Sequence, residues 1–458
     1  MVKPELLMPS GDLEKAKIAF QFGADACYGS TPAFSMRTRE VGFTLATLNK
    51  AIEYAHSINK NFYVTVNIFP HENELVAIKN HLAKIISMKP DAIIVADLGV
   101  LALANKLKSR SASGGSQEAN KLEIHLSTQA NATNSEAIKQ YAKFGVKRVI
   151  LPREISIDNI KRIRKVLPKK IELEAFVHGA MCMSVSGRCH LSNYFTGRDA
   201  NHGQCVQSCR WNYALIEEKR PNEIMSIEED MNYSYIFNAR DLCMIEHLDK
   251  LRDAGITSFK VEGRNKSIYY CAIVARAYRK MIDLTCHPEF ISGSHEIPKQ
   301  VRNDIKILKA ELDTITSRGY STGFYFGKPS QKDINDKSSR PHSDWQFVGI
   351  IKKVITSETK QPSDCHPVLD TGSKNSEKLL VDSRLRGNDK VYLVEVRNEI
   401  KSGTVVEILT PDKIYSMRLD KLITPDGKTL PKANPGHELI IEHEIPLPVN
   451  SVIRNKLM

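Results

Sequence analysis

Through the first half of the chain, short β-branched or apolar runs alternate with amphipathic stretches. The runs predict strands at 5–9, 25–28, 62–68, 91–96, 123–127, 148–151, 172–178 and 258–262. Between them, stretches such as 13–22, 45–58, 135–144 and 157–166 carry the pattern of helices. Ser10-Gly-Asp12 and Ser156 stand where helix caps belong. Eight strands alternating with helices is the count of a closed barrel. The expected class is therefore α/β, a TIM-like (β/α)8 barrel spanning 1–290. A doubly wound open sheet is the competitor, but no Gly-x-Gly-x-x-Gly follows the first strand.

The seventh strand leads into a long insertion, 179–238, which a barrel would hold on the face of its strand C-termini. After an apolar helix at 269–284 the pattern changes to a helical linker, 291–340. Beyond Trp345, β-type runs at 347–351, 391–396, 404–409 and 439–441 predict a smaller C-terminal antiparallel β-barrel domain, 341–458. Two segments, 109–120 and 361–390, lack periodicity and read as mobile surface loops, the second inserted into the β domain.

The 458 residues are 41% hydrophobic, enough for a sizeable core. The chain shows no apolar run of membrane-spanning length and no signal peptide at its start, so a cytoplasmic protein with no membrane partner is expected. A formal charge of +12 suits a polyanion such as RNA or DNA, against the plainer reading of a solvated basic surface. Neither a zinc-finger nor an aromatic RNA-binding signature accompanies it.

The nine cysteines are unevenly spread. Cys27 and Cys271 read as buried core thiols. Cys365, beside His366, falls in a loop too loose to present a metal ligand. Cys182, Cys189, Cys205, Cys209 and Cys243 cluster. Thiolates are soft ligands, and the wide, unequal spacing suits an iron–sulfur centre better than a compact zinc site. Zinc, a Cys205/Cys209 redox pair and no metal at all stay open on spacing alone. Cys243 reads either as a spare ligand or as an ordinary helix residue.

The block Glu174-x-Phe176-x-x-Gly179-Ala180-Met181-Cys182, followed by Gly187-Arg-Cys189-x-Leu-Ser192, resembles the signature of the collagenase-like peptidase family of unassigned catalytic type. Lys3-Pro-Glu-Leu-Leu, Gly23-Ala-Asp-Ala, His125-Leu-Ser-Thr-Gln-Ala-Asn131, Lys260-Val-Glu-Gly-Arg264 and Arg318-Gly-Tyr-Ser-Thr-Gly-Phe324 look like it too, over nearly the whole chain outside the two loops. The resemblance implies a tRNA-modifying enzyme that converts the wobble uridine to 5-hydroxyuridine, with prephenate as co-substrate. It also implies a 4Fe-4S cluster held by Cys182, Cys189, Cys205 and Cys209, with Cys243 as the alternative ligand.

Proteolysis, which the family label suggests, is the runner-up. Its support is thin: neither His-Glu-x-x-His nor Gly-x-Ser-x-Gly occurs, and the thiols come as a group rather than one activated nucleophile. An RNA-binding scaffold with a structural metal is the third reading. For hydroxylation, Arg153, Arg240 and Arg264 near strand ends suit a dicarboxylate co-substrate, joined by Lys260 and Gln129. His125, His178 and Glu262 are the proton-handling candidates. The plainer alternatives are structural ion pairs for the arginines and core positions for the histidines. Of Glu172 and Glu174 at least one should point into the barrel, where a carboxylate needs a partner such as Lys260.

Overall fold

The apolar runs become β1 (Glu5–Pro9), β2 (Ala26–Gly29), β3 (Asn61–Val66), β4 (Ala92–Val95), β5 (Glu123–Leu126), β6 (Arg148–Ile150) and β7 (Glu172–Gly179). The computed structural model describes residues 3–35, 42–113, 121–182, 184–211, 215–217, 220–225, 239–286, 299–329, 333, 343–355 and 390–457. These form two compact units, Met1–Ser343 and Asp344–Met458.

In the first unit β1 to β7 pair in parallel, each with the next. A later strand, Ser258–Val261, pairs in parallel with both β1 and β7 and closes the ring. The eight-stranded barrel expected from the alternation is therefore present. Its strands are buried nearly end to end because helices cover one face and packed side chains fill the other. The helices α1 (Leu13–Gln21), α2 (Leu45–Ser57), α3 (Leu75–Ser87), α4 (Leu98–Ser113), α5 (Ser135–Lys143) and α6 (Ile157–Val166) alternate with the strands. Asp12 and Ser156 cap α1 and α6, accepting from the backbone N–H of Lys15 and Asn159. The segment 109–120 departs from expectation: its residues through Ser113 extend α4, and only 114–120 lie outside the described residues.

The insertion after β7 holds α7 (Leu191–Thr196) and a hairpin of β8 (Leu215–Glu217) and β9 (Arg220–Met225). The chain then forms β10 (Asp241–Cys243), which runs antiparallel to the end of β7, Cys243 opposite His178. Cys243 thus ends a short strand rather than lying on a helix. After α8 (Leu248–Asp253), the closing strand is β11 (Ser258–Val261). The almost wholly buried α9 (Ile268–Thr285) follows, packed against α1 and α10 (Lys299–Leu312). A two-residue β12 (Tyr320–Ser321) joins β10.

The second unit contains β13 (Trp345–Ile355), β14 (Lys390–Val396), β15 (Ile400–Lys401), β16 (Thr404–Leu409), β17 (Ile414–Leu419), β18 (Leu422–Ile423), β19 (Thr429–Leu430), β20 (Lys432–Ala433), β21 (Glu438–His443) and β22 (Val452–Lys456). Eight of them form one antiparallel sheet in the order β17-β16-β22-β13-β14-β21-β18-β19. Among the described residues its two outer strands do not pair with each other, so the domain is a half-barrel rather than a closed one. It curls over its own core, including Val348, Tyr392, Ile408 and Ile453. Residues 361–389 of the loop at 361–390, with Cys365 and His366, lie outside the described residues.

Candidate active site

Strand C-termini converge on one cavity at the barrel mouth. Its walls include Tyr28 from β2, Asn67 just beyond β3, Gln129 just beyond β5, Arg153 beyond β6, and Glu262 and Arg264 beyond β11. The insertion also lines it, contributing Cys182, Cys189, Cys205 and Cys209. Two glycines let it lie there. Gly179 has φ +109°, and a Cβ on it would come 2.5 Å from the Glu262 carbonyl oxygen. Gly187, at φ +75°, is pressed so closely on Gln129 that a Cβ would overlap that residue's backbone. Glu154 fastens the same stretch, accepting from the backbone N–H of Ser186 and, at 2.9 Å, from its hydroxyl. Further on, His202 sits between Asp199 (3.1 Å) and Glu74 (3.3 Å), tying the insertion to the segment that precedes α3.

Of the four cavity cysteines, Cys182 and Cys205 are exposed and Cys189 and Cys209 half-buried. The Cys205 sulfur accepts from the Gln207 backbone N–H at 3.4 Å and from the Ser192 hydroxyl at 3.8 Å. Among the described residues, no three His, Cys, Asp or Glu side chains are grouped so as to hold a metal ion as placed. The four thiols lining the cavity nevertheless make a donor set whose softness fits iron or an iron–sulfur centre. Cys243 is not among the described lining residues. It is half-buried, its sulfur 3.7 Å from the Tyr278 hydroxyl, and desolvation pushes its thiol up to about 11.

Cations line the same cavity. Arg264 is buried and donates to the hydroxyls of Ser30, Ser35 (3.0 Å) and Thr65 (3.1 Å). Arg153 pairs with Glu262 at 3.2 Å, its guanidinium 4.0 Å from the centre of the Phe176 ring. Lys260 pairs with Glu174 at 2.8 Å and stands 4.2 Å from the Tyr28 ring centre. Below them Arg148 bridges Glu5 (2.6 Å), Glu172 (2.8 Å) and Glu174 (3.3 Å). Burial would raise the Glu174 carboxyl, but Lys260 and Arg148 outweigh it and hold the group below the usual carboxylate range. Burial draws Lys260 down, with Glu174 opposing.

The proton-handling candidates separate. Glu262 lines the cavity. His178 is fully buried among the rings of Tyr270, Tyr278 and Tyr320, with Nδ1 3.3 Å from the Tyr278 hydroxyl. Burial, with Lys266 adding to it, lowers its imidazole to about 3. His125 sits in the barrel interior, bonded to Glu123 at 3.1 Å and edge-on to Tyr63, and burial and then Arg148 drive it well below the usual imidazole value. Neither histidine is among the described lining residues, nor is Arg240, whose backbone N–H bonds to Asp333. Cys27 and Cys271 are core thiols, as expected.

Sequence reasoning missed Tyr28, Asn67, Glu154 and the hydroxyls around Arg264. Asn67 donates to Gln129 at 3.0 Å and to Ser127 at 3.1 Å, setting the Gln129 side chain. Its place one residue past β3 is the signal that would have found it, since polar residues at barrel strand C-termini gather at the mouth.

The pattern of peptidase family U32 matches residues 11–335, and that of the peptidase family U32 C-terminal domain matches 381–454. The chain is 33% identical to tRNA hydroxylation protein P of Haemophilus influenzae, over 98% of this chain and 94% of that one. It is 30% identical to a protein of Porphyromonas gingivalis named collagenase, over 71% of this chain and 74% of that one. With the 23S rRNA 5-hydroxycytidine C2501 synthase of Escherichia coli it shares 32% identity, over 61% of this chain and 39% of that one. The chain belongs to peptidase family U32, the family its cysteine block resembles.

Proposed function

We propose that this chain is an enzyme that hydroxylates tRNA, at C5 of the wobble uridine, with prephenate as co-substrate and a 4Fe-4S cluster on Cys182, Cys189, Cys205 and Cys209. The observation that carries the reading is likeness along nearly the full length of both chains to a relative named for tRNA hydroxylation. Four thiols and three cations lining one cavity support it.

When bound, such a cluster supplies one-electron transfer or a Lewis-acidic iron. The chain's own residues do the rest. The uridine leaves its loop and enters the barrel mouth, where Gln129, oriented by Asn67, meets polar edges of the base. Arg264, preset by its hydroxyls, and Lys260 bind and orient the carboxylates of prephenate. Glu262, held by Arg153 at the cavity, is the lining carboxylate placed to take up a proton from the bound substrate.

The peptidase reading draws on the relative named collagenase. It is weakened in that no histidine is among the described lining residues that could serve the thiols as a base. Mass spectrometry of tRNA nucleosides from a strain lacking this chain separates the two. The 5-hydroxyuridine derivatives should vanish, return with the intact chain and stay absent with Cys182→Ser; their persistence in the deletion strain would refute the reading. Gelatin cleavage by the pure protein, lost in Cys182→Ser, would favour the peptidase.

A further inference from the structure

The insertion that brings the cysteines to the cavity also carries three large aromatic side chains on its outer surface. Tyr194 is 83% exposed, Phe195 44% and Trp211 41%. They form one cluster: the Tyr194 and Phe195 ring centres lie 5.2 Å apart at 78°, those of Phe195 and Trp211 6.0 Å apart at 49°. Exposed aromatics in contact cost solubility, and such a patch marks a surface that is covered in use. Tyr194 and Phe195 lie on α7, which starts two residues after Cys189, and Trp211 stands two residues after Cys209. Asn201, between α7 and Cys205, lines the cavity itself, so the cluster is continuous in sequence with the cavity wall.

The insertion's own sequence around the cluster is net basic. Residues 180–211 contain Arg188, Arg198 and Arg210 against a single acid, Asp199, which is engaged by His202. Arg188 and Arg198 are exposed. Planar faces interleaved with arginine suit unpaired nucleotides, which stack their bases on aromatic rings while the phosphates meet guanidinium groups. A purely apolar protein partner has no need of these arginines.

We infer that Tyr194, Phe195 and Trp211 form a stacking platform for the unpaired nucleotides that flank the base entering the cavity. This rests on the proposed tRNA reading and adds to it the means by which the loop is held open. Each stacked base that loses its platform weakens binding by about tenfold.

The test is the affinity of the full chain, purified anaerobically, for an anticodon stem-loop RNA carrying the wobble uridine. Tyr194→Ala should weaken binding about tenfold. Tyr194→Phe should bind as the parent does, and Tyr194→Leu, equally apolar but without a π-face, should bind as poorly as Tyr194→Ala. Because Tyr194 is almost fully exposed, these variants should keep the parent's iron content and Tm. If the parent does not bind the stem-loop, the platform and the tRNA reading fall together. If the parent binds and Tyr194→Ala binds equally well, the platform alone is wrong. If Tyr194→Leu restores binding, the patch is an apolar contact rather than a stacking surface, and the inference is again overturned.

Discussion

The Glu174–Lys260 pair shows how one buried residue constrains another. Both side chains are almost wholly out of water, so neither can lose its partner cheaply. Glu174→Gln leaves Lys260 and Arg148 undercompensated and should cost about 3–5 kcal/mol in urea unfolding. His178 gives the barrel a pH dependence of definite sign. Its imidazole, ordinarily near 6.5, is lowered to about 3 by burial. Between these values the unfolded chain binds a proton that the folded chain refuses. This contribution is therefore complete above about pH 6.5 and is lost as pH falls toward 3. A His178→Phe variant should show a flatter fall in Tm across that range. Cys243, protonated at neutral pH and away from the cavity, should be dispensable for metal: Cys243→Ser should retain iron that Cys182→Ser loses, read by iron and sulfide assay. That a carboxylate on β7 needed Lys260 was legible from residue type and strand position. That His125 and His178 turn away from the mouth was not, because a strand end names the layer a residue occupies and not its neighbours.

Among elements, the insertion after β7 matters most, and its seat depends on backbone contact. Gly187→Ala would push a methyl group into the Gln129 backbone at a φ of +75°. It should lower iron content and enzyme activity while far-UV circular dichroism stays that of the parent, because the barrel strands do not rely on the loop. The motif placed Gly187 beside Cys189 in sequence, but only the fold brings Gln129, fifty-eight residues earlier, against it. Helices and strands themselves were legible because burial imposes their apolar periods. The short β10 was not: three residues carry too little pattern, and their partner is the distant end of β7.

For the whole molecule, charge sets the expected behaviour. A +12 chain that neutralises several tRNA phosphates should lose affinity by about a thousandfold between 50 and 200 mM salt, measured by filter binding. A flat salt response would argue against a phosphate-tracking surface. The two units have separate cores, so a chain ending at Ser343 should unfold cooperatively by itself in thermal denaturation.

By itself, the order of apolar and polar residues determined the eight-stranded barrel, the β-rich second unit and the grouping of cysteines on one insertion. These follow from local period and spacing, which a linear chain displays. Tertiary structure decided which of those residues line one cavity: four thiols, Arg264, Lys260 and an Arg153–Glu262 pair, with Cys243 and both histidines outside the described lining. Ring closure brings strand ends far apart in sequence to one mouth, and side-chain packing there selects neighbours that no linear spacing encodes.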